Sequence, residues 1–156
     1  MSWKLRLEPV LRPLMQGHWR RSRGMTLGVQ GLAVNAGGEI ALVRHTYRPG
    51  WHFPGGGVER GETLRQALDK EMQEEAGIAL AGAPQLFGVY SNEAKFRGDH
   101  VALFIIRDWT SCAPDHRDEI AEVIWAAPDA LPAETSTATR RRLAEVFDNA
   151  PVSEDW

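Results

Sequence analysis

From residue 25 onward, short apolar runs alternate with turn residues. Thr26 to Val34 reads as a buried strand and Glu39 to Arg44 as a second, and Asn35-Ala36-Gly37-Gly38 between them predicts a hairpin turn that pairs the two. Further strands are expected at Leu86 to Ser91, His100 to Arg107 and Glu122 to Ala126, where β-branched, apolar and aromatic residues concentrate. Between these runs the period changes. Thr63 is a good N-cap, Gln66 three residues on completes a capping box, and Gly77 sits where a left-handed C-terminal cap belongs, so a helix is predicted from Thr63 to Ala76. A last helix is predicted from Ser136 to Asp148, with Leu143, Val146 and Phe147 on one face and Arg140 to Arg142 read as a solvated face. The segment from Tyr47 to Arg60, rich in Pro, Gly and Trp, reads as a loop. Interleaved strands and helices without an internal repeat place the chain in the α/β (α+β) class, with helices against a mixed sheet.

Charge divides the chain differently. Residues 1–24 carry six basic residues and one acid, a charge of +5 in a chain of net −3. An Arg-rich start with interspersed Trp3, Leu5, Leu7, Val10, Leu11 and Leu14 suits an organelle-targeting peptide, a membrane-surface helix, or an arm packed on its own domain or on a partner subunit. Pro9 and Pro13 count against a long regular helix and favour the arm. The expected organisation is a basic arm over 1–24, one domain over 25–150 and a C-terminal tail over 151–156, with a homodimer as one candidate setting for the arm.

With 43% hydrophobic residues in 156, one ordinary core can form and a disordered chain is excluded. The net charge offers no global positive field, so no nucleic-acid polymer is expected as partner. The single Cys112 cannot make an internal disulfide, which fits a reducing compartment. No apolar run approaches a membrane span, and no secretory signal pattern opens the chain. The expectation is a soluble, cytoplasmic protein that does not engage a membrane.

The chemistry concentrates on the first helix. At about 100° per residue, Leu64, Ala67, Leu68, Glu71, Glu74 and Glu75 fall in one stripe, apolar first and acidic after. Glu71 with Glu74 and with Glu75 are like-charge pairs costing a few tenths of a kcal/mol each, roughly, on a bare helix. They also lie in the last turn, where the helix dipole disfavours negative charge by about 0.3–1 kcal/mol. Three hard oxygen ligands on one face suit Mg²⁺ or Mn²⁺, which reverses both penalties. The alternative is that these glutamates are simply solvated residues with good helix propensity. Pro54-Gly55-Gly56-Gly57, just before the helix, is either a turn or a run where backbone can approach a ligand closely.

These residues resemble a known family. Gly56, Glu62, Lys70, Glu71, Met72, Glu74, Glu75, Gly77 and Ile78 reproduce the spacing of the Nudix box, G-x5-E-x7-R-E-U-x-E-E-x-G-U with U a bulky aliphatic residue, except that Lys70 stands in place of arginine. The order of elements from about Thr26 to Phe147 is also similar to that of a Nudix domain. The resemblance implies an α/β/α sandwich with a mixed central sheet. It also implies a pyrophosphohydrolase that attacks a nucleoside diphosphate linked to another group, a nucleoside triphosphate or a nucleotide sugar. Carried over by position, Glu71, Glu74 and Glu75 are the expected ligands of Mg²⁺ or Mn²⁺, with the carbonyl of Gly55 a further donor, and Glu62 lies near the metal's water shell or supports the box loop.

Glu119, ahead of Trp125, is the candidate additional ligand or general base, followed by Glu122 and Glu93. Arg44, Arg48 and His52 are candidates for gripping phosphate oxygens, and Tyr47, Trp51 or Trp125 for stacking on a base or sugar; Trp51 and Trp125 can equally be packing residues. The segment Asn92 to Asp99 reads as an exposed loop suited to specificity contacts. The proline of ADP-ribose-hydrolysing subgroups falls at Ala94 here, and the tyrosine of the diadenosine polyphosphate group at Lys95 and Phe96, so neither substrate is supported. Lys70 supplies a flexible point charge where the family's arginine offers a planar fork. It leaves two outcomes: an active enzyme with rearranged support around the ligands, or a domain that binds nucleotides without hydrolysing them.

Overall fold

The computed structural model describes residues 23–115 and 119–156; the basic arm expected over 1–24 therefore lies, up to residue 22, outside the described residues. Among the described residues, eight strands and two helices follow in the order β1 (Thr26–Ala33), β2 (Ile40–His45), β3 (Gly55–Gly57), α1 (Leu64–Ala76), β4 (Ile78–Leu80), β5 (Gln85–Ser91), β6 (Asp99–Ile106), β7 (Trp109–Ser111), β8 (Ile120–Ala126) and α2 (Thr137–Phe147).

The central sheet is mixed, in the order β3-β1-β6-β5. β1 and β6 run parallel, with Val29 opposite Ala102 and Leu32 opposite Ile105, while β3 and β5 are antiparallel edges. Successive side chains of a strand point to opposite faces, and β1 is apolar on both. Val29 and Ala33 face Ala67, Leu68 and Met72 of α1, whereas Leu32 joins Phe53, Tyr90, Leu103 and Leu143 of α2 on the other side. The sheet is thus covered by a helix on each face, an α/β/α sandwich.

α1 forms where its boundary signals place it. Thr63 Oγ1 accepts from Gln66 N at 3.2 Å, Gln66 Oε1 accepts from Thr63 N at 2.9 Å, and Gly77 ends the helix at φ 66°. The helix seats directly on β1 because Gly31 has no side chain. A Cβ there would collide with Met72 Sδ and lie 2.9 Å from Ile106 Cδ1. The depth of α1, and with it the position of its carboxylates, follows from that contact.

Three expectations need correcting. The turn at Asn35 to Gly38 forms, with Asn35 Oδ1 accepting from Gly37 N at 2.9 Å and Glu39 N at 3.0 Å, but β1 and β2 do not make a hairpin. Past a single bridge between Val34 and Ile40 they part, and β2 pairs with β8 instead. Ile40 and Leu42 pack in the α2-side cluster and Ala41 in the α1-side cluster. Burial on both faces of β2, rather than the local turn, selects its partner. Arg142 is not part of a solvated face: it is fully buried, with Nη2 2.6 Å from Glu145 Oε1 and its guanidinium 4.0 Å from the centre of the Tyr90 ring. Arg140 and Arg141 are exposed. The glycine run expected within a loop pairs as the short strand β3. Among the described residues no helix is long and apolar enough to cross a membrane.

Candidate active site

β3 runs alongside α1 and brings backbone against carboxylates. Gly55 N donates to Glu75 Oε2 at 2.9 Å, tying the edge strand to the last turn of the helix. A Cβ on Gly56 would lie 2.5–2.7 Å from the Glu71 carboxyl atoms, so glycine is what allows that carboxylate to press against the strand. Gly55 itself, at φ 153°, would place a Cβ against the Val29 carbonyl.

Burial raises the proton affinity of both carboxyls. Glu75 is pushed up to about 7, first by burial, with the charges of Glu71 and Glu119 adding to it while the Gly55 N–H and Arg48 pull against it. Glu71 is raised by burial first, then by Glu74, Glu62 and Glu119, against the charge of Lys70. His45 Nδ1 lies 3.8 Å from Glu75 Oε1, but burial, Arg48 and His52 push that imidazole down to about 4, so it is neutral near neutral pH and the contact is not an ion pair. This Nδ1 is buried without a hydrogen-bond partner.

Lys70 Nζ bonds Glu62 Oε1 at 3.0 Å and stands 3.8 Å from Glu71 Oε1. Glu62 Oε2 accepts from Glu59 N at 2.9 Å. The lysine thus spans the loop before the helix and the first of the box carboxylates, with one direct bond where a guanidinium fork offers two.

The other candidates separate. Arg48 is charged next to Glu75 and Tyr47, and both it and Tyr47 line a cleft of about 340 Å³ together with Gly55–Gly57, Gln30, Asn92, Lys95 and Trp156. Glu119 is placed by its carbonyl, which accepts from Thr46 N at 2.9 Å, and its charge reaches Glu71, Glu75 and Tyr47. Arg44 instead pairs with Glu122 at 2.6 Å and covers the buried Trp51 ring at 5.4 Å. His52 Nε2 meets the Pro49 carbonyl at 2.9 Å within its own loop. Trp125 stacks on Trp109 at 5.1 Å. Several cleft residues are not among the candidates drawn from the sequence, His45, Trp156 and Gln30 included. His45 and Trp156 carry no local signal, but Gln30 does, as a lone amide inside the apolar run of β1.

The donor chemistry fits a hard divalent cation: Glu71 and Glu75 are largely removed from solvent, mutually repelling, and only partly compensated, with an unpartnered imidazole nitrogen beside them. Among the described residues no group of three or more His, Cys, Asp or Glu side chains is drawn together into an ion-holding set.

The NUDIX domain model matches residues 25–147. The chain belongs to the NUDIX domain family. A MutT NUDIX hydrolase structure from Burkholderia pseudomallei superimposes with a TM-score of 0.67 at 26% identity, covering 78% of this chain and 98% of that one. A MutT-like protein of Streptomyces ambofaciens is 28% identical over 126 residues, 80% of this chain and 79% of its own. The 8-oxo-dGTP diphosphatase of Escherichia coli is 40% identical over 60 residues, 36% of this chain and 43% of its own. Two other curated relatives are matched over only 25% and 46% of their length. NUDIX family proteins commonly use divalent metal ions.

Proposed function

We propose that this protein hydrolyses the pyrophosphate linkage of a nucleoside diphosphate joined to another group, with Mg²⁺ or Mn²⁺ as cofactor. The observation that carries this reading is the burial of Glu71 and Glu75 against the Gly55–Gly57 strand, which itself lines a cleft together with Arg48 and Lys95. Glu71, Glu74 and Glu75 would hold the cation, with the Gly55 carbonyl as a further donor. When bound, it neutralises phosphate charge and lowers the pKa of a bound water.

The chain's own residues supply the rest. Arg48 and Lys95 attract phosphate oxygens into the cleft, and the glycine strand lets those oxygens approach the backbone. Glu119, whose charge is felt at both buried carboxyls, would take the proton of the attacking water. Arg44, held by Glu122, serves the fold of this wall in place of the phosphate. The solitary Cys112 suits work in the reducing cytoplasm. Similarity to a MutT hydrolase structure and to an 8-oxo-dGTP diphosphatase supports a nucleoside triphosphate ahead of a nucleotide sugar.

The test is a panel of nucleoside triphosphates and nucleotide sugars with Mg²⁺ or Mn²⁺, read as phosphate released after a coupled phosphatase. Turnover is expected, highest with a triphosphate and lost on chelation. Metal-dependent nucleotide binding with no turnover anywhere on the panel would reject the enzyme in favour of a sensing module, the outcome to which Lys70 is relevant.

A further inference from the structure

Segment 151–156 is held against the cleft by contacts that the hydrolytic chemistry does not require. Ser91 N donates to the Glu154 carbonyl and Trp156 N to the Ser91 carbonyl, each at 2.8 Å, so the segment continues the edge of β5. Beneath it lies a buried polar clasp. Glu145 accepts from Tyr90 Oη at 3.0 Å, from Arg142 Nη2 at 2.6 Å and from Ser153 N at 2.9 Å. Arg142 Nη1 donates to the Asp155 carbonyl at 2.9 Å, and Arg141 Nη2 to the Trp156 carbonyl at 2.8 Å.

A buried ion pair is rarely better for stability than apolar packing of the same volume. Here Arg142 Nη1 and Glu145 Oε1 also bond the backbone of residues 155 and 153, while Arg142 Nε is buried without a hydrogen-bond partner, and the result is a fixed indole. Trp156 stands edge-on to Tyr90, with ring centres 5.6 Å apart at 66°, and 5.6 Å from the Arg142 guanidinium. It packs against this core and also lines the cleft with Gln30, Arg48 and the glycine strand. Of the other aromatics near the site, Tyr47 is 69% exposed and Trp51 is covered by Arg44. Trp156 is both anchored and open to the cleft.

We infer that Trp156 is a substrate-binding residue whose indole takes the heteroaromatic base of the nucleotide, and that Arg142 and Glu145 are positioning residues that hold it there. The inference rests on the nucleotide reading above. Stacking on an aromatic face is tolerant of base identity, so Trp156 supplies affinity for a base as such, and Gln30, which lines the same cleft, is one hydrogen-bonding group available to discriminate among bases.

The test is calorimetric binding of GDP and of inorganic pyrophosphate, each with Mg²⁺, to the full chain and to Trp156→Leu and Trp156→Phe, both of which keep an apolar group against Tyr90. Trp156→Leu should weaken GDP roughly 10-fold or more while leaving pyrophosphate unchanged, and Trp156→Phe should restore most of the GDP affinity. Unchanged GDP binding in Trp156→Leu overturns the inference. So does an equal loss for both ligands, which marks a purely structural role, or failure of the unmodified chain to bind GDP. Turnover on the nucleotide panel is read separately: an inactive protein that shows the base-selective loss rejects only the hydrolase, and an active one without that loss rejects only the role of Trp156.

Discussion

Glu75 occupies the buried side of α1 with its carboxylate on the Gly55 N–H, an arrangement a glutamine side chain can also satisfy. The charge is the costly part. Its folded pKa, about 7, lies above the unfolded value, so the stability this group contributes is complete below pH 4.5 and is lost as pH rises through about 7. At pH 8 without metal, the ionised carboxylate therefore burdens the fold. Glu75→Gln should cut turnover by orders of magnitude and leave the thermal midpoint at pH 8, in chelator, unchanged or raised. A midpoint lowered by several degrees would make Glu75 a structural residue instead. Lys70 is the complementary case. Its bond to Glu62 and its approach to Glu71 replace a two-pronged contact by a single one, and that difference is visible in the sequence only because the neighbouring positions match the box.

At the scale of elements, α1 was readable because its determinants are local. Thr63, Gln66 and Gly77 act within a turn of themselves, and the helix begins and ends on them. Its placement is a different matter, set by the contact of Met72 with Gly31 across the sheet. Gly31→Ala should overpack this seat at a cost of about 1–3 kcal/mol, measured by denaturant unfolding, and should lower turnover further than the stability loss explains, because α1 carries the carboxylates away with it. A destabilised variant with unaltered specific activity would show that helix depth does not govern the site. β3, β4 and β7, of three residues each, are too short to leave a periodic signature and become strands only by finding partners. The same reasoning covers β2, whose turn was legible while its partner β8, some eighty residues later, was not.

For the molecule as a whole, the clasp of Tyr90, Arg142 and Glu145 joins β5, α2 and the closing segment into one unit. Burial, then the bond to Glu145 and its charge, raise the Tyr90 hydroxyl to about 12, with Arg142 opposing. A raised pKa contributes stability that is complete below pH 10 and disappears as pH climbs through about 12. Tyr90→Phe should therefore be less stable than the unmodified chain at pH 8, and the gap between the two should narrow above pH 10, as read from thermal midpoints. A gap that stays constant with pH would remove Tyr90 from the clasp.

The sequence by itself determined the box helix and its caps, the principal strands, the family, and Glu71, Glu74 and Glu75 as the residues to watch, because each is written within a short stretch where local sterics, hydrogen bonding and periodicity act. Only the tertiary structure decided that Arg142 is buried in place of solvated, that Trp51 and Arg44 face each other and not the cleft, and that Gln30, His45 and Trp156 stand beside the glycine strand. Those outcomes depend on which distant surfaces exclude water from a side chain, and that is settled by the packing of several elements at once.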